Sequence, residues 1–164
     1  MPKLAELNAL DGAEFTRIVG PVFEHSPWVA ARTASQRPFD SREALHAALV
    51  ATVRRASDDE KLCLIRAHPD LIGDAHLTAA SQAEQASAGL QDAIAAETTQ
   101  FREYNRQYRE RFGFPFVICA RLHKKEAIAR AFPVRLQNSR EQEMETALQE
   151  ISKIAELRLQ DLVQ

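Results

Sequence analysis

The sequence predicts an all-α protein, a bundle of about six to eight helices that forms one domain over residues 1–164. Apolar residues recur at helical intervals through every long segment, and no stretch pairs two alternating strand patterns around a turn. Helix-start signals, in which Ser or Asp precedes Glu, occur at several points along the chain. With 164 residues and 45% hydrophobic content, the chain can bury a core of ordinary size.

The residue pattern in the first part of the chain predicts three helical segments. Residues 4–24 carry apolar side chains at helical spacing, with Asp11 able to cap a helix and Gly20-Pro21 ending it. The run 40–43 has an acidic cap, Asp40, with Glu three residues later, which predicts a helix through Val53. Residues 57–60 open the next helix with acidic side chains where the helix dipole favours them, and that helix runs through Ile65.

Two further helices are predicted after a connecting loop. The loop covers Ile72 to Thr78, where periodicity is weak. Ser81 and Glu84 have the spacing of a capping box and predict a helix start, which would give Glu84 a purely structural role. A long pattern from Leu90 to Phe112 predicts the next helix, which ends at Gly113.

An uncharged segment follows, between Arg111 and Arg121. Pro115 and the β-branched pair Val117-Ile118 favour an extended buried segment here, although the pattern alone does not separate it from a helix. Buried extended backbone needs hydrogen-bond partners, and in a helical protein a bound polar ligand is one candidate.

The end of the chain predicts two more helices. One runs from Lys124 to Phe132 and ends before Pro133, because proline disrupts a helix interior. Asn138 or Ser139 caps the last helix, which runs to about Leu162.

Charge and cysteine content exclude several classes of protein. The 21 basic and 23 acidic residues are spread along the chain, so neither nucleic acid nor a membrane surface is an expected partner. No basic segment precedes an apolar one at the start, and no window approaches the ~18 apolar residues of a membrane span. Cys63 and Cys119 lie among apolar neighbours and predict reduced core thiols. We therefore expect a soluble, cytoplasmic protein.

The motifs of metal and cofactor sites are missing from the sequence. It contains no His-Glu-x-x-His, no Cys-x-x-Cys and no two histidines one helical turn apart, so no metal site is predicted. It also lacks a phosphate-binding glycine loop, a dinucleotide fingerprint and a Gly-x-Ser-x-Gly elbow. The commonest cofactor and acyl-transfer chemistries are thereby removed.

His68 is the first candidate for chemistry. Because Pro69 disfavours the α conformation at the residue before it, the helix through Ile65 should stop close to His68. The unpaired carbonyl groups at a helix C-terminus favour a protonated imidazole, which suits a side chain that delivers a proton. The alternative is that His-Pro is only a helix stop with a solvated imidazole.

A small polar set could join His68 around a small heterocycle. Ser81, Glu84, Gln85 and the backbone of residues 116–120 would then act as acidic partner and amide contacts. The residues alone leave open a rival reading, a non-enzymatic helical interaction protein whose uncharged segment plugs the core.

Three separated motifs resemble the signature of the 2-oxo-4-hydroxy-4-carboxy-5-ureidoimidazoline (OHCU) decarboxylase family. They are His68-Pro69-Asp70-Leu71, then Ser81-x-x-Glu84-Gln85 with Ser87-Ala88-Gly89-Leu90, and Phe112-Gly113-Phe114-Pro115-Phe116-Val117-Ile118-Cys119-Ala120-Arg121. With flanking features such as Arg37-Pro38-Phe39, the resemblance extends over nearly the whole chain.

The resemblance implies an all-helical, often homodimeric enzyme that works without metal or cofactor on a small-molecule substrate. It would release carbon dioxide from OHCU and yield S-allantoin on the route from urate. His68 matches the family's catalytic histidine and Glu84 its partner acid. The implied substrate-binding positions are Pro69, Ser81, Gln82, Ala83, Glu84, Gln85, Phe116, Val117, Ile118, Cys119 and Ala120.

Overall fold

The chain folds as helices joined by short turns. The computed structural model describes residues 1–73 and 76–164, and in those ranges it contains no strand. The described α-helices are α1 Leu4–Ala9, α2 Gly12–Val19, α3 Trp28–Thr33, α4 Arg42–Arg55, α5 Asp58–Arg66, α6 Ala79–Ser87, α7 Ala95–Phe112, α8 Lys125–Arg135 and α9 Arg140–Leu162. The described residues also form four 3₁₀ helices, at Gly20–Val22, Ala34–Gln36, Leu90–Asp92 and Ala120–Leu122. The all-α prediction is confirmed.

Polar caps set several of the helix starts. Asp11 accepts a hydrogen bond from the Glu14 amide and separates α2 from α1. The helix start predicted at residues 57–60 is confirmed, and Ser57 and Glu60 form the reciprocal bonds of a capping box there. The predicted cap of α4 is wrong by one residue, because Ser41, not Asp40, accepts the amide hydrogen bond there.

Three other helix boundaries differ from the sequence prediction. Thr78 caps α6 through a hydrogen bond from the Ser81 amide, so Ser81 and Glu84 lie inside the helix and the capping box predicted for them is wrong. Helix α7 begins only at Ala95, after a 3₁₀ turn. Helix α8 continues past Pro133 to Arg135, because proline removes only its own amide hydrogen bond and the residues after it still bond back, as the Leu136 amide does to the Phe132 carbonyl.

By their internal contacts, the residues divide into two compact units. Unit 1 comprises Met1–Ala67 with Ser152–Gln164, and unit 2 comprises His68–Ile151. One domain over residues 1–164 stays a prediction. In unit 1, α3 packs against α2 and α4, and the buried guanidinium of Arg158 donates to Glu24 Oε2 at 2.9 Å.

Unit 2 is built around a cluster of aromatic rings from α7, α8 and the segment between them. Phe116 stacks on Phe132 with ring centroids 3.8 Å apart, and Phe101 meets Phe132 edge-on at 6.0 Å. Gly113 ends α7 in the left-handed region, at φ +79°, which glycine adopts without a Cβ clash. The chain can therefore turn sharply at the end of α7, before residues 114–120.

The cysteine prediction is half right. Neither cysteine forms a disulfide bond among the described residues, but Cys63 is exposed whereas Cys119 is buried. The apolar neighbours of Cys63 in sequence misled the prediction, because a helix turns successive residues to different faces. Within the described ranges, no helix combines the length and apolar character that crossing a membrane requires.

Candidate active site

His68 begins unit 2, immediately after the end of α5. That helix stops at Arg66 with Ala67 as its C-cap, so the helix end predicted close to His68 is confirmed. His68 is only 6% exposed, and Pro69 beside it is half-buried. The imidazole is therefore shielded from bulk water, unlike the solvated side chain of a simple helix stop.

The residues after His68 form a tight turn, residues 68–73, which we call the histidine turn. Ile72 has φ +54°, a left-handed conformation that a β-branched residue adopts only under strain. A Cβ on Gly73 would lie 3.0 Å from the Cβ of Asp70, so a side chain there would require Asp70 to shift by a few tenths of an ångström. The surrounding structure must hold this turn in place.

The side-chain amide of Gln85, on α6, binds the histidine turn through both its oxygen and its nitrogen. The Ile72 amide donates to Gln85 Oε1 at 3.1 Å, and Gln85 Nε2 donates to the Asp70 carbonyl at 3.3 Å. Gln85 is buried, so these bonds form away from water. The residue predicted to bind substrate thus also positions the backbone that follows His68.

Helix α7 holds the same turn from another element. Asn105 Nδ2 donates to the Leu71 carbonyl at 2.8 Å, and Arg109 Nε donates to Asp70 Oδ1 at 2.9 Å. Asn105 is buried, whereas the Arg109–Asp70 pair is partly exposed. Polar groups from two helices therefore fix consecutive residues of the histidine turn.

Helix α6 presents the predicted acid. Ser81 and Gln85 are buried and Glu84 is half-buried, so these three residues lie toward the interior side of the helix. The Glu84 carbonyl accepts a hydrogen bond from the Ser87 hydroxyl at 2.7 Å. Gln82 and Ala83 are exposed, and the Gln82 amide donates to the Thr78 carbonyl within the first turn.

The uncharged segment, residues 114–120, is buried, and we call it the buried run; it lies outside the α-helices and ends in the 3₁₀ turn that begins at Ala120. Its predicted burial is confirmed. The protein itself supplies partners for several of its carbonyl groups. Arg135 Nη1 donates to the Val117 carbonyl at 2.6 Å, and the Cys119 and Ala120 carbonyls accept backbone amides of the following turn. Phe116, Ile118 and the rest of the run line the interior of unit 2.

A buried polar network supports the buried run. Arg135 Nε donates to Glu143 Oε1 at 2.7 Å, and the Tyr108 hydroxyl donates to the same oxygen at 2.5 Å. Asn138 Nδ2 donates to Glu143 Oε2 at 2.9 Å. Burial, and then the hydrogen bond to Glu143, raise the pKa of Tyr108 well above its usual value. Tyr108 therefore stays protonated and keeps donating.

Helix α6 is the common neighbour of the histidine turn and the buried run. Gln85 binds the turn, while the Ala88 carbonyl at the end of α6 accepts the Lys125 amide at 2.9 Å. Lys124 Nζ donates to the Ser87 carbonyl at 3.3 Å. The helix also packs against the 3₁₀ turn Ala120–Leu122, where the buried run ends.

Sequence patterns do not identify two supporting residues, Asn105 and Arg135, as part of the site. Each is a polar residue on the apolar face of its helix, since Asn105 lies between Phe101 and Tyr108 and Arg135 follows Phe132. That interruption of the apolar pattern is the signal that could have identified them. Among the described side chains, no three His, Cys, Asp or Glu come together as metal ligands would.

Comparison with known proteins identifies a family and two similar structures. The family model described as OHCU decarboxylase matches residues 8–160. The 2-oxo-4-hydroxy-4-carboxy-5-ureidoimidazoline decarboxylase of Haloferax volcanii is 46% identical over 156 residues, which cover 95% of this chain and 93% of that protein.

The crystal structure of an (S)-allantoin synthase aligns with a TM-score of 0.83 at 30% identity. The alignment covers 100% of this chain and 54% of the other, so this chain spans about half of that protein. A crystal structure of an OHCU decarboxylase in the presence of (S)-allantoin aligns with a TM-score of 0.69 at 28% identity, over 82% of this chain and 89% of that one.

Proposed function

This chain belongs to the OHCU decarboxylase family, and from that premise we propose that it converts OHCU to (S)-allantoin and carbon dioxide in urate degradation. The observation that carries the proposal is the position of α6, which borders both the histidine turn and the end of the buried run. We propose that a small heterocycle binds along α6, where it contacts groups from all three segments.

The reaction breaks the bond between the ring carbon and its carboxylate, and carbon dioxide leaves. The electron pair moves into the neighbouring C=N bond of the substrate, whose nitrogen takes up a proton. The hydroxyl group then loses its proton as its C–O bond becomes a carbonyl, and the ring carbon that bears the ureido group takes one up. One proton is consumed per carboxylate lost, so the protein has to orient the ring and manage protons.

His68 is the proton donor in this proposal. Its imidazole is buried at the start of the histidine turn, where water competes poorly for the proton. Glu84 is the partner acid that hydrogen-bonds the substrate's hydroxyl or ureido group. Protonation from one fixed face gives a single enantiomer.

Substrate contacts are proposed for the remaining predicted positions. Pro69 follows His68 directly, and Ser81 and Gln85 are buried on α6. Phe116 and Ile118 have backbone groups in the buried run that could meet ring oxygens and nitrogens. For Gln82 and Ala83, which are exposed, substrate contact stays a prediction of the resemblance.

We propose that the reaction needs neither metal nor cofactor. The substrate's own C=N bond accepts the electron pair, which is the service that an external electron sink would otherwise supply. Apart from Asp70, which pairs with Arg109, the three segments offer one imidazole, one carboxylate, the Cys119 thiol and neutral amides and hydroxyls. That set suits hydrogen bonding to a heterocycle better than coordination of a cation.

Turnover of freshly generated OHCU, followed by circular dichroism, tests the function. We expect (S)-allantoin to form faster than in buffer alone and with one handedness. A rate and a racemic product equal to those in buffer would overturn the proposal. Dialysis against a chelator provides a second arm: full activity is expected, whereas a loss that added metal restores would overturn metal independence.

A cytoplasmic location and a homodimer complete the proposal. Cys63 and Cys119 form no disulfide bond among the described residues, which fits a reducing compartment. In unit 2, Leu122 and Val134 are large apolar side chains that are exposed, at 55% and 66%. Light scattering on the purified chain should give twice the monomer mass, and a monomer mass at all concentrations would exclude the dimer.

A further inference from the structure

Asn105 is a buried amide that uses only one of its two ends. It is 6% exposed on α7, and its Nδ2 donates to the Leu71 carbonyl at 2.8 Å. Among the described residues, no donor reaches its Oδ1. Its neighbours on the same face of α7 are Phe101 and Tyr108, both buried.

A half-satisfied amide is a poor choice for stability alone. Leaving a buried acceptor without a partner costs free energy, and an apolar residue of similar volume would avoid that cost. Side chains that break the rules of core packing concentrate at functional sites, where another requirement outweighs stability. The one hydrogen bond that Asn105 makes, to the Leu71 carbonyl, therefore indicates which function outweighs stability here.

That bond holds the histidine turn at its most strained point. Leu71 immediately precedes Ile72, whose φ of +54° is unfavourable for a β-branched residue. Gln85 binds Asp70 and Ile72, the residues on either side of Leu71. Asn105 binds the Leu71 carbonyl, which lies between those two contacts. Together the two amides fix the backbone that carries the His68 imidazole.

We infer that Asn105 is a positioning residue for His68. This inference rests on the proposed function, and it assigns a role to a residue on α7 that none of the three motifs contains. Asn105 acts through the Leu71 carbonyl, so it changes how well the imidazole is aimed at the substrate and has little effect on how tightly the substrate binds.

Replacement of Asn105 by leucine tests the inference against a matched control. Asn105→Leu removes the donor and the unpaired acceptor together while keeping the volume. We expect kcat to fall on the order of ten- to a hundredfold, because small misplacements of a catalytic group are costly, while KM stays within about twofold. We expect the thermal midpoint to change little.

Asn8→Leu is the matched control in unit 1. Asn8 also holds a loop backbone, but both ends of its amide are paired, with the Phe39 amide and the Phe39 carbonyl, each at 2.9 Å. Its replacement is expected to lower the thermal midpoint and leave kcat unchanged. Asn105→Leu is therefore expected to lower activity more than stability, and Asn8→Leu to lower stability more than activity.

The pH dependence of the His68 ring distinguishes a positioning role for Asn105 from a merely structural one, because a merely structural residue would leave it unchanged. In Asn105→Leu, the NMR titration of the His68 ring and the pH profile of kcat should both shift from those of the unaltered protein. An unchanged titration and an unchanged kcat would overturn the inference. If the leucine variant fails to fold, Asn105→Ala is measured in the same way and decides between the same two outcomes.

The two proposals fail in different ways. An unaltered protein that does not turn over OHCU contradicts the proposed function, whatever Asn105 does. An active protein whose Asn105→Leu variant has the same kcat and the same His68 titration contradicts only the positioning role.

Discussion

The histidine turn and the buried run lie in the same unit, yet they are held by different forces. Hydrogen bonds from Gln85 and Asn105 hold the turn, and one of its residues has a strained backbone. Aromatic packing holds the run, with Phe116 stacked between Phe132 and the Arg135 guanidinium, which lies 4.0 Å from the ring centroid. Hydrogen bonds fix direction but add little net stability, whereas burial of large rings adds much.

The difference separates activity from stability along the chain. Substitutions around the histidine turn should affect turnover more than unfolding, and substitutions around the buried run should do the opposite. Measurements on both segments can break or sharpen this division.

The largest effect is expected at His68. His68→Ala removes the proposed proton donor, and loss of a general acid typically lowers the rate by ~10²- to 10⁴-fold. Steady-state turnover of OHCU and the handedness of the allantoin product measure it. Near-normal turnover with one enantiomer would refute the assignment.

The next effect is on stability, at the centre of the aromatic cluster. Phe132 contacts Phe116, Phe101 and Tyr104, so Phe132→Ala leaves a cavity and should lower the free energy of unfolding by about 3–5 kcal/mol. Urea denaturation measures it. Phe132→Leu, which fills most of the space, serves as control. If the folded alanine variant also lost most of its kcat, the division between the segments would fail.

Substitution of Glu84, on α6, tests for an effect on turnover without an effect on stability. Glu84→Gln keeps the shape and removes the charge, and losing a hydrogen bond to a charged group costs about 1.5–3 kcal/mol, roughly ten- to a hundredfold in rate. Because Thr78 caps α6, Glu84 has no capping-box role to lose, and the thermal midpoint should not change. A fall in the midpoint with normal kcat would return Glu84 to a structural role.

The smallest effect concerns pH and Tyr108. Its raised pKa means that the folded state keeps this hydroxyl protonated where the unfolded chain ionises, so the free energy of unfolding falls as pH rises above about 10. Below that pH the contribution is fully present. Tyr108→Phe should flatten this part of the curve, measured by urea unfolding at about pH 9 and about pH 11. Equal slopes for both proteins would contradict the expectation.

The sequence predicts most helix starts and ends because they depend on local chemistry. Ser57 caps α5 and Gly113 ends α7 through interactions with residues a few positions away. The start of α6 was misplaced because Thr78 and Ser81 both qualify as caps, and only tertiary packing decides which of them is buried inside the helix. Pro133 predicts the end of α8, but the helix is longer and places Arg135 where it reaches the Val117 carbonyl.

The candidate site divides in the same way. His68, Glu84 and Gln85 could be named from motifs, because each motif is contiguous in sequence. Asn105 could not, since its partner Leu71 lies far away in the chain and a local pattern contains no information about that contact. Polar residues on apolar helix faces mark such contacts without naming the partner.

The strain at Ile72 makes the two amides that hold the turn interdependent. Gln85 and Asn105 oppose the same unfavourable dihedral, so removal of either one lets the backbone relax toward an ordinary conformation. Once it has relaxed, removal of the second amide has little further to release. In a double-mutant cycle, the fold-loss of kcat in the double variant will be smaller than the product of the fold-losses in the two single variants. The coupling energy between the two positions measures how strongly Gln85 and Asn105 act together on the turn.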